Sequence, residues 1–140
     1  MSKYQDTAIF LLRLALAAGF LSSVASRLGF WGQQSSGWEN FLSYTAEVNS
    51  FAPTSVVPFL AIAATILETG FGFLLLIGLK TRYAAIGSSI LTLLFALAMS
   101  YSSGVKSPLD YSVFAFSASA FLLSTVTQYR WSMDEKINRS

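Results

Sequence analysis

The sequence contains no cysteine and no histidine. Without cysteine, the chain forms no disulfide and offers no thiolate for metal binding or thiol redox chemistry. Without histidine as well, bound haem, structural zinc and Ser-His catalysis lack their usual ligand or base. We therefore predict no metal site and no intrinsic cofactor. Any chemistry must use carboxylates, arginine, lysine, tyrosine or a borrowed cofactor.

Charge is scarce too, since 11% of the 140 residues are charged and 54% are hydrophobic. A soluble domain carries about 25% charged residues, and a chain of this size could not bury so much apolar side chain. Lipid can cover such a surface, so the composition indicates one membrane domain over residues 1–140. The net charge of +2 is small and evenly spread, which argues against nucleic acid as a partner.

Four apolar runs are long enough to cross a bilayer, and they predict an all-α integral membrane four-helix bundle. The predicted spans cover about residues 7–26, 55–79, 83–103 and 110–128. In the third span, small residues recur at every fourth position from Ala84 to Ser100, which predicts a close helix contact. Their hydroxyls could also bond across helices or line a narrow polar path. The polar tail after Trp131 is expected to fray.

The loop between the first two spans carries apolar residues at helical spacing, from Trp38 to Phe51. This spacing predicts a short amphipathic helix at about residues 37–50, in the first external loop. Such a helix could lie in the membrane interface, cap the bundle or act as a lid.

The basic residues predict the orientation of the four spans. One end of the bundle would hold both termini and the turn between the second and third spans, and the other end would hold only Arg27 and Lys106. The basic residues of the first end are Lys3, Lys80, Arg82, Arg130, Lys136 and Arg139. Positive charge marks the cytoplasmic side. We therefore predict a multi-pass protein of the plasma (inner) membrane with both termini in the cytoplasm.

Two charged residues fall inside predicted spans, Arg13 in the first and Glu68 in the second. Buried charges in lipid usually find a partner, so the sequence predicts that these two residues pair. Gly70 and Gly72 narrow the helix beside Glu68, where a neighbour or a ligand could approach. The pair could fix helix register, or it could bind a quinone carbonyl, a lipid headgroup or a proton. Alternatively, Arg13 could extend to the interface and leave Glu68 protonated.

A second group of polar residues is predicted at the external end, around the turn between the third and fourth spans. It could form a polar mouth above the bundle, or it could be a helix cap flanked by interfacial tyrosines. Arg27 and Glu47 could join it. The group consists of Asp110, Tyr111, Tyr101 and Lys106.

Three stretches resemble the DoxX family of small four-helix membrane proteins: LLRLALAAGFL, ILETGFGFLLLIGLKTRYAAI and SPLDYS. The family pattern has an Arg in the first helix, and a Glu followed by glycines and a leucine-rich run that ends in Gly-x-x-x-Arg. It also has a Ser-x-Asp element before the last helix. In this sequence these features fall on Arg13, on Glu68 with Gly70, Gly78 and Arg82, and on Ser107–Asp110 with one extra residue.

The sequence also departs from the family pattern at two positions. Many members carry a Lys near the end of the first helix, where this sequence has Arg27, and many carry a His late in the third, which is absent. A proton relay that depends on that His is therefore not expected in this chain.

The resemblance implies an auxiliary membrane subunit of a quinone-linked or thiol/sulfur-related redox system, with a bound quinone or lipid and a protein partner. The sequence has no flavin or nucleotide motif, so the chain could not carry electrons alone, and it could at most be a subunit of an oxidoreductase complex. Two alternatives stay open. One is a non-enzymatic membrane scaffold or assembly factor, and the other is a small-solute or proton pathway, which would require a homo-oligomer.

Overall fold

The computed structural model describes residues 2–139, which form seven α-helices and no β-strand. The all-helical prediction is thereby confirmed for this part of the chain. The helices are α1 (Lys3–Arg27), α2 (Trp38–Val48), α3 (Val57–Ile77), α4 (Thr81–Ser103), α5 (Lys106–Asp110), α6 (Val113–Ser124) and α7 (Met133–Arg139).

Three of these helices are long and apolar enough to cross a membrane, judged by length and composition. They are α1, α3 with its preceding 3-10 turn from Thr54, and α4. The chain enters α1 through a capping box, in which the Ser2 hydroxyl accepts from the Gln5 backbone N–H and the Gln5 side chain accepts from the Ser2 N–H. Such a box satisfies two backbone donors that a helix start leaves without partners.

The long helices and α6 pack side by side. The largest contacts join α1 to α3 and α4 to α6, and smaller ones join α3 to α4 and α1 to α6. Large apolar side chains such as Ile66 and Leu94 point outward and are exposed, as expected for a surface that lipid covers. The buried core consists of Leu16, Ala17, Phe20, Leu75, Ala84, Ala85, Leu91, Ala120 and Leu123.

The row of small residues on α4 lies inside the protein, with Ala84, Ser88, Thr92 and Ala96 all buried. The hydroxyls of Ser88 and Thr92 donate to carbonyls one turn earlier in α4 itself. The hydrogen-bonding needs of these two hydroxyls are therefore met within α4, although both side chains lie in an apolar core.

The last predicted span, at about residues 110–128, is divided in the structure. Helix α5 ends at Asp110, Ser112 has a positive φ of 57°, and α6 covers only Val113–Ser124. The 12 residues of α6 measure about 18 Å at 1.5 Å per residue, which is shorter than the ~30 Å of hydrocarbon in a bilayer.

The C-terminal tail docks on the bundle, so the prediction that it frays is wrong for its first half. The Asp134 carboxylate accepts from the backbone N–H groups of Lys80 (2.7 Å) and Thr81 (2.8 Å), and the Asp134 N–H donates to the Gly78 carbonyl (2.8 Å). A carboxylate distant in sequence thus caps α4, because no side chain next to its first residue does so. We call this end of the bundle, with the described chain ends and the α3–α4 turn, the terminal end; the opposite end is the loop end.

Replacing Asp134 with alanine is expected to lower the free energy of unfolding by about 0.5–2 kcal/mol, the range for losing a helix N-cap. Hydrogen exchange at the backbone amides of Lys80 and Thr81 should accelerate, because both lose their acceptor. The matched control is Glu47→Ala, which removes an exposed carboxylate at the loop end. Wild-type exchange rates at both amides in Asp134→Ala would contradict this role of the carboxylate.

Candidate functional site

An ion pair joins Arg27, the last residue of α1, to Glu68 near the middle of α3. Arg27 Nη1 contacts Glu68 Oε2 and donates to Thr65 Oγ1 at 3.2 Å. Arg27 Cζ lies 3.8 Å from the centre of the Phe41 ring, on α2. Arg27 is 8% exposed and Glu68 is 4% exposed. One guanidinium therefore connects three helices at a buried position.

The direction of helical side chains explains this pairing. Each Cα–Cβ bond in an α-helix tilts toward the helix N-terminus. Helices α1 and α3 run in opposite directions, so Arg27 extends from the loop end into the bundle while Glu68 leans toward the loop end. The two side chains point at each other. The tilt of each side chain follows from the predicted helix directions, whereas the contact between α1 and α3 is seen only in the structure.

The predicted pairing of Glu68 with Arg13 is wrong. Arg13 leans toward the terminal end, where its Nη2 donates to the Trp131 carbonyl at 2.8 Å and its guanidinium lies 5.3 Å from the Phe10 ring centre. Its Nη1 lies beside Gly78, which is ten residues after Glu68 and so about 15 Å along α3. The sequence argument compared the depths of the two residues but not the directions of their side chains.

Arg13 is 2% exposed, and its Nε and Nη1 have no hydrogen-bond partner within residues 2–139. The docked tail supplies the compensating charge, since the Asp134 carboxylate acts on the Arg13 guanidinium electrostatically. Arg13 therefore belongs to the contact between bundle and tail, away from the Arg27–Glu68 pair.

The two glycines beside Glu68 have different surroundings. A Cβ on Gly72 would lie 2.8 Å from Leu21 Cδ2, so Gly72 allows close packing of α1 on α3. A Cβ on Gly70 would meet no atom within 4 Å. Only Gly72 therefore permits a close approach by a neighbour, and that neighbour is α1.

The ion pair lies in the wall of a cavity of about 760 Å³, within the size range of small-molecule sites in proteins. Helices α2, α3 and α4 supply most of the lining, which is largely apolar. The lining residues Leu67, Leu94 and Leu97 are also exposed at the outer surface. The cavity therefore has a polar wall at Arg27 and Glu68 and an apolar side that reaches the surface between α3 and α4.

The Glu68 carboxylate has spare capacity to accept hydrogen bonds. Apart from its contact with Arg27, it accepts none within the described residues 2–139. An ionised carboxylate can accept about four hydrogen bonds and a guanidinium can donate five. The pair can therefore hold a ligand that both accepts and donates, such as a carbonyl or a hydroxyl group.

Helix α2 covers the cavity and is attached to α4 near its C-terminal end. The Ser102 hydroxyl donates to the Val48 carbonyl (2.9 Å) and accepts from the Ser50 N–H (3.1 Å). The Tyr44 hydroxyl donates to Met99 Sδ at 3.9 Å. Burial raises the pKa of Tyr44 above its usual value, so the phenol stays neutral and remains a donor. Helix α2 lies within the predicted loop helix of residues 37–50.

The predicted polar group at the loop end is only partly assembled. Lys106 Nζ and Asp110 Oδ2 form an exposed ion pair at 2.5 Å. Tyr101 packs instead on Phe51, with ring centres 5.6 Å apart, and Tyr111 is 72% exposed. Arg27 points into the bundle and pairs with Glu68. The structure thus joins two of the four predicted residues, in a solvent-exposed i, i+4 pair that contributes little stability.

Comparison with known proteins identifies the family of this chain. The DoxX family model matches residues 8–101. A search of curated proteins and a search of solved structures each gave no match. The matched segment contains Arg13, Arg27, Thr65 and Glu68, and it covers more than half of the chain. The chain therefore belongs to the DoxX family of membrane proteins.

Proposed function

We propose that this protein is the membrane subunit of a redox system and binds the head of a quinone at Arg27 and Glu68. The observation that carries the proposal is a buried, incompletely hydrogen-bonded ion pair in the wall of an otherwise apolar cavity of about 760 Å³. Such a cavity suits an amphipathic molecule with a small polar head and a long apolar tail.

Arg27 donates to a quinone carbonyl in this proposal, and Glu68 accepts from the hydroxyl of the reduced quinol. The tail leaves between α3 and α4, past Leu67 and Leu94, where the cavity reaches the lipid-facing surface. Phe41 on α2 covers the guanidinium, so water is kept from the head. The chain has no cysteine or histidine, so electrons come from a partner redox protein. A membrane lipid headgroup is the alternative ligand for the same groups.

The proposal includes a topology of four spans with both termini in the cytoplasm. Helix α6 forms the fourth span. Because α6 is too short to cross the bilayer, the non-helical residues 125–132 cross the remaining thickness at the terminal end. The basic residues of the terminal end, including Lys3, Lys80 and Arg82, support this orientation through the positive-inside rule. The membrane is the plasma (inner) membrane, because the proposed quinone pool and the basic cytoplasmic end both belong there.

The experiment is quantification of quinone and lipid that co-purify with the protein in mild detergent. Arg27→Gln removes the charged donor, and Ala98→Leu narrows the cavity from α4 while the ion pair remains. We expect Ala98→Leu to retain about tenfold less quinone than the wild type, since the added side chain occupies the space of the ligand. Arg27→Gln should retain about tenfold less as well, the scale of one lost charged hydrogen bond.

The matched control is Ala18→Leu, the same change at an exposed position on α1, which should retain as much quinone as the wild type. Equal quinone content in wild type, Arg27→Gln and Ala98→Leu would refute the quinone proposal. A specific lipid retained by the wild type, in place of a quinone, would identify the alternative ligand of the same cavity.

A further inference from the structure

A second cavity, of about 580 Å³, lies at the terminal end of the bundle. Its lining comes from the first turn of α4, from the segment after α6 and from α7. The cavity exists because α6 ends at Ser124 and the chain continues without α-helix as far as α7. Non-helical backbone at membrane depth occurs where it is buried in protein or lines a water-filled cavity. In the proposed topology, this polar recess lies at the level of one set of headgroups.

Two exposed cations in the lining, Lys80 and Arg82, have no carboxylate partner among residues 2–138, whose side chains the structure describes. Arg82 Nη2 donates to the Val126 carbonyl at 2.9 Å, which holds this guanidinium against the recess. The Asp134 carboxylate, which accepts from two backbone N–H groups, also lines the recess and keeps its negative charge. The lining holds three cations (Lys80, Arg82 and Arg130) against two carboxylates (Asp134 and Glu135), and three minus two leaves one net positive charge.

Two other lining residues, Arg130 and Tyr129, have partners within the protein. Arg130 lies between Asp6 (3.6 Å) and Glu135 (4.0 Å). The Tyr129 hydroxyl donates to the Leu123 carbonyl at 2.9 Å. These contacts fix the walls of the recess and leave Lys80 and Arg82 as the lining cations without a carboxylate partner among residues 2–138.

An apolar strip continues from the recess along α4. Tyr83 lines the recess, and Ile86 and Ile90 follow it on the same helical face, three and seven residues further on. All three side chains are exposed at the outer surface of α4. An acyl chain can lie along this strip while its headgroup occupies the recess.

We propose that this recess binds a phosphate group, through Lys80 and Arg82, and that the phosphate is presented by an anionic phospholipid. Lysine and arginine are the side chains that recognise phosphate in proteins, and basic residues at a membrane surface attract anionic lipids. The site is separate from the Arg27–Glu68 cavity, which lies between α2, α3 and α4. A free phosphate ion shares the headgroup chemistry but would leave the apolar strip unused.

The test is native mass spectrometry of the protein in phosphatidylcholine nanodiscs that contain a minor fraction of phosphatidylglycerol. We expect phosphatidylglycerol to be retained in preference to phosphatidylcholine. Lys80→Gln should weaken retention about fivefold, the contribution of one basic residue near a membrane surface. This variant is the more informative one, because only the backbone of Lys80 bonds to Asp134. Arg82→Gln should weaken retention at least as much, and Arg82→Lys should restore most of it.

The matched control is Lys136→Gln, which removes an exposed cation at the same end but outside the recess. It should retain phosphatidylglycerol as the wild type does. Displacement of the lipid by millimolar inorganic phosphate would identify the free ion as the ligand, and resistance to phosphate would identify the lipid. The proposal is overturned if there is no preference for phosphatidylglycerol, if Lys80→Gln retains as much as the wild type, or if Lys136→Gln loses as much as Lys80→Gln.

Discussion

Replacing Arg27 alone with methionine is expected to lower the free energy of unfolding by about 3–5 kcal/mol, the range for breaking a buried ion pair from one side. Glu68 is 4% exposed and would lose the charge that stabilises it, and Phe41 would lose its cation. The measurement is unfolding in mild detergent, followed by circular dichroism. The control is Lys106→Met, which removes an exposed ion pair and should change stability by about 0.5 kcal/mol at most.

The double variant Arg27→Met/Glu68→Leu distinguishes the energy of the Arg27–Glu68 ion pair from the cost of leaving a single buried charge without its partner. Well-packed apolar replacements of a buried pair are often neutral or stabilising, so the double variant should recover most of the stability that Arg27→Met loses. If the double variant loses as much stability as Arg27→Met and Glu68→Leu lose separately when added together, the two residues do not interact. Stability recovered without quinone retention would assign the pair to ligand binding.

Gly78→Ala is expected to lower the free energy of unfolding by about 3 kcal/mol or more, the sum of a strained backbone and an overpacked contact. Gly78 ends α3 at φ 74° and ψ 37°. An added Cβ would lie 2.5 Å from Arg13 Nη1 and 2.9 Å from the Ser132 Cα. Because one of these atoms is backbone, the tail must move away and Arg13 must lose its contact with Trp131. Circular dichroism and proteolysis of the tail measure the two effects.

The matched control for this substitution is Gly32→Ala. Gly32 also has a positive φ, 62°, but a Cβ there would meet no atom within 4 Å. Gly32→Ala should therefore lower the free energy of unfolding only by the cost of placing alanine in the left-handed conformation, about 1–2 kcal/mol. If the two variants lose the same stability, the tail does not pack on Gly78 as the structure shows.

The two proposed binding sites lie at opposite ends of the bundle and depend on different chemistry. The Arg27–Glu68 cavity offers a paired charge in apolar surroundings, which suits a neutral head with carbonyl or hydroxyl groups. The recess at Lys80 and Arg82 offers cations without carboxylate partners among the residues 2–138, which suits an anion. The substitutions at one site should therefore leave ligand retention at the other unchanged, and this independence can be read from the same purified variants.

Composition and hydropathy alone determined the class of this protein. An apolar run can be recognised without knowing how it packs on other segments. The thickness of the bilayer sets its length, and the lipid requires its low charge. The motifs around Arg13 and Glu68 likewise identified the DoxX family, which the family comparison confirmed. Helical periodicity from Trp38 to Phe51 indicated a loop helix, and α2 lies there.

Only the tertiary structure decided which charges meet. The sequence analysis paired Glu68 with Arg13 and placed Arg27 with the external polar group, whereas the packing of antiparallel helices brings Arg27 to Glu68. The tail was also misjudged, because the cap that Asp134 provides lies more than fifty residues from the amides it binds. Local sequence indicates secondary structure and burial. Which residues distant in the chain come into contact depends on how the helices pack, and such contacts form both candidate sites.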